Sequence, residues 1–208
     1  MELKIKICGM KEPGNIREIS RLNPDYMGFI FYPGSKRYAG NLSPADLEHL
    51  PNAFDKVAVF VNASREEIIF TCRAYSIRIL QLHGDEPPEY CRSFMEEGFR
   101  VIKAFRIGRS MDAKVMDRYA KSCDLFLLDT SAEGYGGTGK KFNWKHLERF
   151  HSPVPFFLSG GIGPGDAGRI MEMDIPQLQG VDLNSRFEIR PGVKNKNDLE
   201  TFIRRIRS

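Results

Sequence analysis

Short apolar runs recur along the chain, and each is followed by a stretch with helical spacing. The strand candidates are 4–8 ("KIKIC"), 26–31, 56–62, 79–83, 101–105, 125–129, 156–159 and 180–183. Several are apolar almost throughout, as in "VAVFV" and "LFLLD". That is the pattern of strands covered on both faces, as in a parallel sheet. The intervening stretches carry helix starts. "SPADLEHL" sets Ser43 to cap and Pro44 at the first helical position, and "SREEIIFTCRAY" puts Glu67 three residues after Ser64, the spacing of a capping box. "PPEYCRSFMEEG" and "SMDAKVMDRYAKSC" have helical spacing with polar faces. "NDLETFIRRI" lines up Leu199, Phe202, Ile203 and Ile206 on one stripe.

Eight strands alternating with about eight helices predict an α/β fold, a single (β/α)8 TIM barrel spanning residues 1–208. An open doubly wound sheet is the competitor. Eight similar units with no shift in composition favour the closed barrel. At 208 residues the chain can bury a substantial core and lies near the lower size limit for such a barrel.

Composition narrows the function classes. No apolar run approaches the roughly 18 residues of a membrane span, and the opening "MELK" lacks the form of a signal peptide, so the expected location is cytoplasmic. Cys8, Cys72, Cys91 and Cys123 are scattered, without a CxxC pair or clustered histidines. This argues against a metal site and against a disulfide framework. The net charge of +4 is modest. Its one dense basic stretch, "RRIRS", reads as the exposed face of a last helix rather than a nucleic-acid patch.

In a barrel of this kind chemistry sits at the C-terminal ends of the strands and in the loops that follow. Those positions hold Cys8, the loop "FYPGSKRYAG", Asn62, Gln81, His83, Arg106, Asp129, "SGGIG" and the segment Asp182–Arg186. Cys8 ends its strand beside Gly9, where a reactive side chain could project from a rigid platform. The plainer reading of a lone cysteine is a small buried hydrophobe, and of a strand-end aspartate, a helix cap.

The segments "KIKICGM", "GFIFYPGSKRY", "AVFVN", "LQLHGDE", "LLDTSAEGYGGTGKKFNW", "LSGGIGP" and "GVDLNSRFEIRPGVK" resemble, in order and over essentially the whole chain, the motifs of phosphoribosylanthranilate isomerase. The resemblance implies a TIM-barrel enzyme of tryptophan biosynthesis. Its reaction converts N-(5′-phosphoribosyl)anthranilate to 1-(2-carboxyphenylamino)-1-deoxyribulose 5-phosphate by an Amadori rearrangement, with no cofactor and no metal. Cys8 then matches the general base and Asp129 the general acid. A carboxylic acid can protonate the furanose oxygen as the C1′–O bond breaks, if burial keeps its proton in place. The Schiff base so formed acidifies the C2′ proton, which a thiol can remove if its pKa is drawn modestly downward.

The same resemblance assigns the substrate's two anionic ends. Arg37 matches the arginine that takes the anthranilate carboxylate, a group its forked donors suit. Gly160, Gly161 and Gly163, with Asn184 and Ser185, match the phosphate cradle after strands seven and eight. Asp182 is expected to contact the ribose or order neighbouring loops, and Gln81 and His83 to hydrogen-bond within the barrel mouth. Two departures stand out. Lys36 replaces a proline, predicting a looser loop, and Arg186 replaces a glycine, closing the φ > 0 region at that position. "GYGGTGKKF" is not a P-loop, because Lys141 stands where Ser or Thr is required; the family reading is a loop that closes over substrate. His49, His146, His151, Cys72, Cys91 and Cys123 read as structural.

The histidine-pathway isomerase performs the same chemistry with an aspartate at the position of Cys8. Indole-glycerol-phosphate synthase and thiamine-phosphate synthase would need a lysine acid or a pyrophosphate–Mg²⁺ site. An inactive barrel kept as a binding module is opposed by the presence of Cys8 and Asp129 together. The expected partner is a small-molecule phosphosugar, with no nucleic acid and no membrane, in a monomer or a homodimer.

Overall fold

The apolar runs become parallel strands. The computed structural model describes residues 2–48, 50, 54–107, 113–130, 144, 147 and 152–208. Among these, β1 (Lys4–Cys8), β2 (Tyr26–Ile30), β3 (Asp55–Phe60), β4 (Ile79–Leu82), β5 (Arg100–Arg106), β6 (Leu125–Asp129), β7 (Phe156–Ser159) and β8 (Leu178–Leu183) pair in order and close on themselves. The seam pairs Lys4 with Gly180 and Lys6 with Asp182. The open doubly wound alternative is thereby excluded. The third strand stops earlier than the apolar pattern predicts. Asn62 adopts φ +50° and gives its N–H to Glu86, ending the ladder.

Helices α1 (Pro13–Ser20), α2 (Ala45–Glu48), α3 (Arg65–Ala74), α4 (Pro88–Glu96), α5 (Ala113–Asp117), α6 (Ala167–Met171) and α7 (Lys196–Ile206) lie between or after the strands. Ser64 caps α3 by accepting the Glu67 N–H, at the spacing read from sequence. Asn195 caps α7 by accepting from Asn197 and Asp198. In α7 the expected stripe Leu199, Phe202, Ile203 and Ile206 is the buried face. The helix begun by Ser43 and Pro44 is short, and Asp46 reaches back to accept from both the N–H and the hydroxyl of Ser43. After β8 the chain makes a 3-10 turn, Ser185–Phe187, and a hairpin of β9 (Glu188–Arg190) and β10 (Val193–Lys194).

Strand alternation divides the core in two. Ile5, Ile7, Met27, Phe29, Ala58, Phe60, Leu80, Leu82, Phe126 and Leu128 face outward and pack with the helices. Cys8, Val57, Val59, Ile79, Ile102, Ala104, Leu125, Leu127 and Phe157 face the barrel axis as a separate apolar cluster. By the same parity Lys6, Gly28, Gln81, Asp129, Ser159 and Asp182 are inward positions. The polar residues read as functional thus cap an inner column of aliphatic side chains.

Among the described residues no helix is long and apolar enough to cross a membrane. The glycine-rich loop 134–142 and His49, His146 and His151 lie outside the described residues.

Candidate active site

Cys8 is the last residue of β1, and its thiol is buried. Directly across on β2 stands Gly28. A Cβ there would lie 2.7 Å from Cys8 Sγ and 3.2 Å from Lys6 Nζ. The missing side chain is therefore the space these two groups share. Lys6 is fully buried and forms an ion pair with Asp182 Oδ1 at 2.8 Å across the barrel seam. Asp182 Oδ2 accepts the Ser159 hydroxyl at 3.3 Å.

The electrostatics of Cys8 run opposite to the downward shift that would make its thiol a serviceable base at neutral pH. Burial pushes it up, Lys6 and Lys194 pull it down, and Asp182 pushes it up again; the net direction is upward. At this buried position desolvation of a thiolate outweighs cations that are themselves paired with carboxylates. Lys6 shows the converse balance. Burial lowers it, but Asp182 and Cys8 outweigh burial, and its net pKa is raised, so it stays charged. Cys72 and Cys91 are driven by burial to about 12 and about 11, and Cys123 is pushed up as well. Those three pack in the outer layer against helices, as expected of structural cysteines, whereas Cys8 belongs to the inner cluster.

Asp129 ends β6, three places from β1 around the ring. His83 Nε2 lies 3.6 Å from Asp129 Oδ2. On its other side His83 Nδ1 is 2.9 Å from Gln81 Nε2. With the Gln81 amide donating, the ring carries its proton on Nε2, the nitrogen facing Asp129. Gln81 is buried, and its Oε1 finds no hydrogen-bond partner among the described residues. Gln81, His83 and Asp129 thus form one chain of groups on the wall away from Cys8.

Arg37 is gripped by Glu188. Its Nε donates to Oε1 at 2.8 Å and its Nη2 to Oε2 at 2.6 Å. Glu188 also accepts from Lys194 Nζ at 2.8 Å and from the Gly192 N–H. Lys194 is fully buried and donates to Asn184 Oδ1 as well. The Arg37 loop is held by local bonds. Ser35 Oγ accepts the Arg37 N–H, and Tyr38 bridges to Ile30 of β2.

Beyond β7, Gly160 and Gly161 adopt φ of +90° and +68°, conformations that favour glycine. Thr130 Oγ1 donates to the carbonyls of Ser159 and Gly160, fixing this turn to the end of β6. The Gly163 N–H is taken by Asp166 Oδ2 at 2.8 Å, so Gly163 shapes the turn rather than offering its own donor. Ser185 and Arg186 lie in the facing 3-10 turn. Arg186 Cβ comes within 3.7 Å of where a Gly163 Cβ would sit. Arg186 has no need of positive φ, so replacing glycine there carries no backbone strain. The Asn184 side chain turns toward Lys194 and Gly9.

The structure thus gathers Cys8, Arg37, Asn184 and Asp182 on one wall, Gln81, His83 and Asp129 on another, and the glycine turn with Ser185 and Arg186 at the rim. Sequence reasoning missed Lys6, Glu188 and Lys194. Lys6 was open to discovery, since position i−2 on a strand shares a face with Cys8. Nothing in "RPGVKNK" signals that Lys194 is buried.

Residues 5–205 match the protein family described as N-(5′-phosphoribosyl)anthranilate (PRA) isomerase. The N-(5′-phosphoribosyl)anthranilate isomerase of Parabacteroides distasonis is 44% identical over 206 residues, covering 97% of this chain and 92% of that one. The isomerase of Phocaeicola vulgatus is 42% identical over 203 residues, covering 98% and 97%. A crystal structure of a phosphoribosyl anthranilate isomerase in complex with reduced 1-(o-carboxyphenylamino)-1-deoxyribulose 5-phosphate superposes with a TM-score of 0.76, at 30% identity and 98% coverage of both chains.

Proposed function

The chain belongs to the N-(5′-phosphoribosyl)anthranilate isomerase family, and from that premise we propose how its own side chains divide the reaction. The activity is the isomerisation of N-(5′-phosphoribosyl)anthranilate to 1-(2-carboxyphenylamino)-1-deoxyribulose 5-phosphate in tryptophan biosynthesis. The observation that carries the residue roles is the inward placement of Cys8 and Asp129 at the ends of strands on separate walls of one barrel mouth.

The Asp129 carboxyl donates a proton to the furanose oxygen as the C1′–O bond breaks, leaving a carboxylate and a protonated Schiff base at C1′. His83, proton on Nε2, faces that carboxylate as it forms. The Cys8 thiolate removes the C2′ proton, and the electron pair moves into the C1′–C2′ bond to give the enolamine. Tautomerisation to the ketone returns a proton to C1′. General acid and base steps of this kind each contribute about 10²–10⁴-fold. Because burial holds the Cys8 thiol up, the rate climbs with pH through its titration.

The phosphate is assigned to the turn at Gly160 and Gly161, where the backbone can approach closely, with Ser185 across from it. The anthranilate carboxylate is assigned to the Nη1 side of Arg37, since Glu188 holds the Nε and Nη2 side. Substrate and product are water-soluble phosphosugars, and the proposal places the enzyme in the cytoplasm.

The test follows the fluorescence of phosphoribosylanthranilate, generated in place from anthranilate and phosphoribosyl pyrophosphate by a transferase. Rapid loss with wild type and at least about 100-fold slower loss with Cys8→Ser and with Asp129→Asn are expected. Wild-type turnover in folded Cys8→Ser would return Cys8 to a packing role.

A further inference from the structure

A buried lysine–carboxylate pair is costly, and replacing both partners by apolar residues is often neutral or stabilising. Among the described residues there are three such pairs. Lys194 and Glu188 serve to hold Arg37, and a second pair has an evident structural use. Lys103 donates to the carbonyls of Leu82 and Gly84 and to Glu86, whose carboxylate also accepts the N–H groups of Asn62 and Gly84. That knot fastens the loops after β3 and β4.

Lys6 has no such set of partners. Its oxygen partner among the described residues is Asp182, and the rest of its ammonium faces Cys8 over the empty side-chain position of Gly28. Lys6 and Cys8 are two residues apart on one strand, so both must point inward. Asp182 lies directly opposite Lys6 in the β1–β8 register and holds the ammonium in place. Ser159 in turn steadies the second Asp182 oxygen.

We infer that Lys6 is the positioning residue of Cys8: its ammonium, clamped by Asp182 and admitted by Gly28, is the fixed counter-cation of the thiolate that takes the C2′ proton. This rests on the assignment of Cys8 as base. The charged groups facing the thiol are Lys6 on β1, Asp182 on β8, Lys194 on β10 and Arg37 beyond β2. Arg37 and Lys194 are both bonded to Glu188, which offsets their charge at the sulfur. Asp182 opposes the thiolate, but one of its oxygens is spent on Lys6 itself. Lys6 is the cation that Cys8 feels most strongly.

The experiment reads the ionisation of Cys8 separately from turnover. Iodoacetamide labelling of Cys8, followed peptide by peptide across a pH series, gives the thiolate midpoint in wild type, in Lys6→Met and in Lys6→Met/Asp182→Asn. The double variant removes both partners of the pair, so that neither charge is left buried alone, and guards against unfolding. The other three thiols pack in the outer layer beneath the helices, whereas Cys8 faces the barrel mouth from the end of its strand, so they serve as internal slow controls. The midpoint and the rising limb of the turnover profile are expected to move to higher pH by about one unit in Lys6→Met, and by less in the double variant. Turnover near neutral pH then falls about tenfold and is largely regained at alkaline pH. Coincident labelling midpoints in wild type and the folded variants overturn the inference. A uniform loss of turnover at every pH does the same, because it marks Lys6 as a strut. Failure of the base assignment is distinguishable: it appears as undiminished turnover in Cys8→Ser, whatever the labelling shows.

Discussion

Glu188 is the most sharply testable group in the structure. Burial pushes its carboxyl up, but hydrogen bonds from Arg37 and Lys194, the Lys194 charge and the Gly192 N–H outweigh that and hold it at about 2 against an ordinary 4.5. A carboxylate depressed in this way stabilises the fold above its unfolded pKa, and the contribution is lost as pH falls toward the folded value. The gap is worth ~3 kcal/mol, of which ~2 kcal/mol should be gone by about pH 3. The assay is urea unfolding of wild type and Glu188→Gln at fixed ionic strength from about pH 7 down to about pH 3. Other depressed carboxyls, such as Asp25 beside Lys4 and Asp46 beside Ser43, titrate in both proteins and cancel in the difference. Wild type should lead at neutral pH and lose that lead progressively below about pH 4.5. A stability difference that stays constant within ~0.5 kcal/mol across the series refutes the reasoning, because the Arg37–Glu188–Lys194 cluster would then be no stronger in the fold than in the open chain.

Three further outcomes follow from contacts already described. Gly28→Ala sets a methyl 2.7 Å from Cys8 Sγ; it should lower stability by ~1–3 kcal/mol in urea unfolding and slow the isomerase more than it raises KM. Arg37→Lys keeps the charge but loses the fork shared between Glu188 and the proposed carboxylate site. KM for phosphoribosylanthranilate should rise about tenfold or more in steady-state kinetics, with a smaller change in kcat. Lys103→Met leaves Glu86 buried without its cation, which should cost ~3–5 kcal/mol in the same unfolding assay.

The ring of strands was legible because a parallel barrel needs apolar side chains on both faces of each strand, and "VAVFV" and "LFLLD" carry that requirement openly. Cys8 and Asp129 were legible as strand-end polar residues in a fold that keeps its chemistry there. The buried cations were not. A lysine reads as surface in any one-dimensional pattern, and only the pairing of Lys6 with Asp182, 176 positions apart, shows what neutralises it. The upward displacement of the Cys8 thiol was hidden for a related reason. Its sign depends on how deeply the thiol is buried and on which neighbouring cations are already engaged by Glu188 and Asp182. Arg37 was found by resemblance, but its partner Glu188 lies in a hairpin with no motif that singles out a buried carboxylate.

The bond between Lys6 and Asp182 also ties the first strand of the ring to its last. A ribosome makes Lys6 and Cys8 seven strands ahead of Asp182, so both wait for the carboxylate that pairs with Lys6. The N-terminal strand of a nascent chain therefore carries a cation meant for the interior and an unguarded thiol, with one lateral edge open until β8 docks against it. Closure of the ring brings together strands separated by almost the whole of the sequence, a contact with a long loop to close. The environment of the Cys8 thiol is therefore incomplete until the eighth strand is in place. The pair that neutralises Lys6 exists only once the ring is closed.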